Sequence, residues 1–146
     1  MRTEFNASLN EFNEIFTIAK NSKNLSELKD AYINFEAKRE EIFFWLMNMD
    51  CDDEQRSEYL TEFAMYEHNL WVDPKTRTLI GAMPIFDDDV YFEDIENMFE
   101  EYGSYFQRFG CLRADQVLSW DQQNVLFMDE FSNIEIVKRP DVLLNI

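Results

Sequence analysis

The sequence predicts an α+β fold that is predominantly α-helical: an N-terminal helical hairpin, two further helices and a small C-terminal β-hairpin. Three observations predict it. Apolar residues recur at three- and four-residue steps through the first half of the chain. Glycine and proline are scarce, three of each, which leaves few tight turns for a multi-stranded all-β fold. Two β-rich runs, Val125-Leu126-Phe127-Met128 and Ile134-Glu135-Ile136-Val137, lie near the C-terminus. At 146 residues, with no internal repeat, low-complexity stretch or linker, the chain suits a single domain over 1–146.

The first helix is expected over about residues 3–20, where Phe5, Leu9, Phe12, Phe16 and Ala19 form one face. A turn over residues 21–24 follows, and Asn24 with Glu27 matches a capping box for the second helix. That helix is the clearest element. Leu25, Leu28, Tyr32, Phe35, Ile42, Leu46 and Met49 keep a heptad rhythm that only Arg39 breaks. The short turn favours pairing with the first helix over a coiled-coil dimer, because the internal partner is present at high effective concentration.

Asp52 and Gln55 match a cap for a third helix, whose buried face is Tyr59, Phe63, Tyr66 and Leu70 and which ends at Asp73-Pro74. Residues 78–83 are short and apolar and read as a strand. The Asp87-Asp88-Asp89 run leads into a fourth helix with Phe92, Ile95, Phe99, Tyr102 and Phe106 as its apolar stripe. Gly103 should weaken this helix and Gly110 should stop it. The two C-terminal runs form a hairpin around Ser132-Asn133. Residues 119–131 carry a competing helical signal, since Ser119 and Gln122 also match a capping box.

The sequence singles out no catalytic residue, cofactor or metal ligand. His68 is the only histidine, so a mechanism needing two imidazoles is excluded. Cys51 and Cys111 do not make a disulfide framework in a chain of this length and are read as reduced thiols. Asp50, Asp52 and Glu54 resemble the start of a calcium loop, but the glycine and distal glutamate that such a loop needs do not follow. No glycine-rich phosphate loop, serine elbow or zinc spacing is present. The N-terminus has no apolar signal run, and the longest apolar run, residues 42–47, is too short to span a bilayer. A cytoplasmic protein is therefore expected.

The distribution of charge is the strongest functional signal. Thirty acidic residues against thirteen basic ones give a net charge of −17. Nucleic acid and anionic membranes carry the same sign and are disfavoured as direct partners. On the fourth helix, Asp89, Glu93, Glu96 and Glu100 fall on one ridge, with Asp94 and Glu101 beside them. Residues 87–110 hold eight acids, among them Asp87 and Asp88, and one base, Arg108. Glu54, Glu58 and Glu62 repeat the pattern on the third helix. Carboxylates on neighbouring turns stand about 5–6 Å apart, a spacing comparable to that of phosphates along a nucleic-acid strand. In net charge and acidic ridges the chain resembles the small DNA-mimic and anti-defence proteins of phages and mobile elements. The resemblance lies in composition alone.

These observations lead to the expectation of a non-enzymatic inhibitor or decoy that blocks the basic surface of a nucleic-acid-handling protein, as anti-restriction and anti-CRISPR proteins do. An immunity protein for a nuclease toxin and a helical adaptor or scaffold are the alternatives. The expected oligomeric state is a monomer or a homodimer.

Overall fold

The computed structural model describes residues 1–72 and 83–141. Five helices and three strands lie within them: α1 (Arg2–Lys20), α2 (Leu25–Asn48), α3 (Asp53–Trp71), α4 (Phe92–Glu101), α5 (Gly103–Gln107), β1 (Val117–Trp120), β2 (Asn124–Met128) and β3 (Ile134–Lys138). The fold is α+β and predominantly helical. The described residues divide into two compact units. A helical unit takes 1–21 and 31–72. A sheet-containing unit takes 83–141 together with 22–30, where α2 begins.

In the helical unit, α1 and α2 pack antiparallel, as the heptad pattern requires. Phe5 meets Trp45 at 6.4 Å between ring centroids, and Phe12 meets Phe35 at 4.8 Å. Helix α3 runs alongside α1, with Phe5–Tyr59 at 4.8 Å, Phe12–Phe63 at 5.3 Å and Phe16–Trp71 at 5.2 Å. Every apolar residue that sets the heptad rhythm of α2 is buried. Arg39, which breaks that rhythm, is half-buried and forms ion pairs with Glu36 (2.6 Å) and with Glu67 of α3. Its guanidinium lies 4.9 Å from the centroid of the Phe35 ring. Burial raises the pKa of Glu36 against the opposing pull of Arg39.

The caps act where the sequence places them. The Glu27 amide donates to Asn24 Oδ1 (2.9 Å), and the Asn24 amide group returns a bond to the Glu27 carboxylate (3.0 Å). The Gln55 amide donates to Asp52 Oδ1 (2.8 Å). Arg56 then ties the start of α3 to the end of α2 by donating to the carbonyls of Leu46 (3.2 Å) and Met49 (2.8 Å). The predicted strand at 78–83 and the Asp73-Pro74 helix stop lie outside the described residues, except for Met83, which is buried.

The other unit is an antiparallel meander, β1-β2-β3, packed with α4 and α5. Its core joins Ile95, Met98, Phe106 and Cys111 to Trp120, Val125, Phe127 and Val137. The expected hairpin is β2–β3, with Val125 opposite Val137 and Phe127 opposite Glu135. Strand β1 pairs on the other side of β2 through a register shift between Val117 and Ser119. The helical alternative for 119–131 is thereby replaced by strand. The predicted fourth helix divides at Tyr102 into α4 and α5, next to Gly103, a weak helix former. Phe92 departs from its predicted core position. As the first residue of α4 it is 44% exposed, with its ring 6.5 Å from that of Trp120.

Candidate functional site

Helix α4 begins at Phe92, so the Asp87-Asp88-Asp89 run precedes it. The Asp94 carboxylate accepts the Tyr91 amide at 2.8 Å and closes the first turn. The helix then buries Ile95 and Met98 and leaves Glu93, Asp94, Glu96, Glu100 and Glu101 exposed. By the helical period, Glu93, Glu96 and Glu100 fall within about 60° of one another around the axis, and Asp94 and Glu101 within about 20°. The first group lies opposite the buried Ile95 and Met98, while the second, Asp94 and Glu101, flanks the buried side next to Met98. With exposed Asp88 and Asp89 they make seven surface carboxylates, none of which forms an ion pair with a cation among the described residues.

Such an arrangement opposes folding. Carboxylates one turn apart repel by about 0.2–0.5 kcal/mol per pair. The helix dipole favours Glu93 and Asp94 at the N-terminal end but disfavours Glu100 and Glu101 at the C-terminal end. The Tyr102 hydroxyl is raised in pKa by desolvation and then by the neighbouring charge of Glu101.

The structure removes Asp87 and Asp89 from the predicted α4 row and Glu62 from the predicted α3 ridge. Asp87 is buried: its Oδ2 meets Arg139 Nη1 at 3.0 Å, and its Oδ1 accepts the Asp89 amide at 3.2 Å. It is a structural clasp and not a surface charge. Asp89 is exposed but lies outside α4, so its projected place on the Glu93 ridge is lost. Glu62 pairs with Arg2, whose guanidinium also lies 4.9 Å from the centroid of the Tyr59 ring, so its carboxylate is already neutralised. Glu54 and Glu58 remain exposed on α3, in the helical unit, while the α4 row belongs to the other unit.

Two aromatics at the head of α4 were not singled out as surface residues by the sequence: Tyr91, 72% exposed, and Phe92. Tyr91 has an extended backbone and caps the helix, so α4 starts three residues beyond Asp89, a boundary that no pattern in the sequence marks. Exposed aromatics beside charge are effective interface anchors.

Among the described residues, no group of three or more His, Cys, Asp or Glu side chains is arranged to hold a metal ion, and no helix is long and apolar enough to cross a membrane. Cys111 is buried and its thiol is pushed up to about 12, chiefly by desolvation, which keeps it protonated and unreactive. No family model, curated protein or solved structure matches the chain.

Proposed function

We propose that the chain is an acidic, non-enzymatic inhibitor or decoy of the nucleic-acid-mimic type, which occupies the basic nucleic-acid-binding surface of a target protein. The observation that carries this reading is the carboxylate face of α4, which pairs with no cation among the described residues. Glu93, Glu96 and Glu100 stand on successive turns, and Glu100 and Glu101 crowd a helix end where the dipole opposes them. A fold that keeps charge where charge weakens it gains elsewhere, and a basic cleft is the surface that such a row complements. The spacing of about 5–6 Å suits a surface built to track phosphates. The charge steers the encounter, and Tyr91 and Phe92 supply apolar anchors next to it.

The target class is a nuclease, a restriction or CRISPR complex, or another DNA- or RNA-handling enzyme. An immunity protein facing a toxin nuclease would use the same physics and differs only in the target it meets. The coiled-coil adaptor loses its motive, since the apolar stripe of α2 is buried within the chain.

The test is capture from a nuclease-treated host lysate with the chain as bait, at low and at high salt. Recovery of one dominant nucleic-acid-handling protein, released at high salt, supports the proposal. Salt-resistant partners with no nucleic-acid function overturn it.

A further inference from the structure

The helical unit carries a second surface of different chemistry. A groove of about 990 Å³ lies between α2 and α3. Phe43, Phe44, Leu60 and Phe63 supply its apolar lining. Phe43 is 51% and Phe44 71% exposed, although each would bury a large ring in a core. The lining positions 36, 40, 43 and 44 on α2, and 60, 63, 64 and 67 on α3, each repeat at helical spacing, so two antiparallel stripes face one channel. The α2 stripe runs for about 12 Å at the helical rise, long enough to seat two to three turns of a further helix.

The groove is also charged in one sense. Among the described residues, Glu36, Glu40, Glu41 and Glu67 line it against the single cation Arg39. Glu36 and Glu67 already share Arg39, and Glu41 meets Lys38 at 3.3 Å. Glu40 has no cationic partner among the described residues. An acidic helix would be repelled here, and a purely apolar one would leave these carboxylates unmatched at its edge. A helix with one apolar face and Lys or Arg beside it satisfies both.

We infer that the α2–α3 groove docks a cationic amphipathic helix of a partner protein, with apolar side chains one turn apart against Phe43, Phe44 and Leu60 and flanking basic residues against Glu40 and Glu41. The groove belongs to the helical unit and the acidic face of α4 to the other unit. It also lies about half a turn around α3 from Glu54, Glu58 and Glu62, so the two surfaces can be tested one at a time.

The probe is a labelled Leu/Lys peptide with leucines at i, i+3, i+4 and i+7, compared with a scrambled peptide of identical composition. Binding to the full chain is followed by fluorescence anisotropy. The patterned peptide should bind about tenfold or more tightly than the scrambled one. Phe43→Ser/Phe44→Ser should remove that advantage, and so should Ala64→Arg, which places a cation at an exposed groove position. Glu93→Lys/Glu96→Lys/Glu100→Lys should preserve the ratio of the two affinities. Circular dichroism checks that each variant is folded, and Ala64→Arg keeps the test open if the double serine variant is not. Equal binding of the two peptides would reduce the effect to bulk charge attraction and overturn the inference. A concentration-dependent dimer in sedimentation, abolished by Ala64→Arg, would overturn it in favour of a second copy of the chain as the occupant.

Discussion

Arg139 and Asp87 form an ion pair at 3.0 Å with side chains only 8% and 9% exposed. Arg139 extends the clasp to the Asp121 carbonyl (3.0 Å) and the Asp141 carboxylate (2.7 Å). Three consecutive aspartates thus divide into one that holds the fold and two that face outward. Asp87→Asn should lower the unfolding free energy by about 2–3 kcal/mol, somewhat less than a fully isolated buried pair, because Arg139 keeps Asp141. Asp88→Asn should stay within about 0.5 kcal/mol of the parent. Urea denaturation of the two variants measures the difference, and equal midpoints would refute it.

Gly103, the first residue of α5, and Gly110, three residues past its end, should respond in opposite directions. Gly110 has φ +81°, and a Cβ built there comes within 3.1 Å of Asp129 Cβ. Gly110→Ala should cost about 1–2 kcal/mol, from left-handed backbone strain and that approach. Gly103 has open space around it and an ordinary φ, so Gly103→Ala should stabilise by up to about 1 kcal/mol. Thermal unfolding of both variants reads the signs directly.

Asp129 organises the β2–β3 turn by accepting the amides of Phe131 and Asn133, both at 2.8 Å, while Ser132 takes φ +67°. Desolvation pushes its pKa up, but the hydrogen bonds from Asn133 and Phe131 outweigh it, and the carboxyl titrates below its ordinary value of 3.8. A depressed folded pKa means that this contribution is complete above the ordinary aspartate range and is lost as pH falls through the lower folded value. Asp129→Asn should therefore have a lower Tm than the parent at pH 7, and the gap should narrow below about pH 4. Melting curves across that range decide it; a gap constant with pH would rule out the carboxylate as the cause.

What the sequence revealed follows its periodicities. Helices α1 and α2 have one buried face each, so Phe5 to Ala19 and Leu25 to Met49 were legible as stripes. Strand β2 was ambiguous because Val125, Leu126 and Phe127 are all fully buried, and a strand buried on both faces shows no alternation. Strand β1 was missed for a related reason: it is four residues long and its register shifts at Leu118, which erases the period-two signal. The acidic side of α4 was legible from Glu93, Glu96 and Glu100. The fate of Asp87 was not, since its partner Arg139 is fifty-two residues away and only the fold brings them together. The α2–α3 groove was equally hidden, because Phe43 and Phe44 sit in the apolar run 42–47 and only the fold separates them from the buried Ile42 and Leu46.

If the α4 carboxylates deliver the protein to a basic surface, their charge sets the rate of encounter. Association kinetics with the captured target, comparing the parent with Glu93→Lys/Glu96→Lys/Glu100→Lys, test it most directly. Ionic strength is raised through about 0.1 M, where screening acts over about 10 Å. The parent on-rate should fall steeply with salt, and the triple variant should be at least about tenfold slower at low salt with an unchanged circular dichroism spectrum. A folded triple variant that associates as fast as the parent, at every salt concentration, would contradict it.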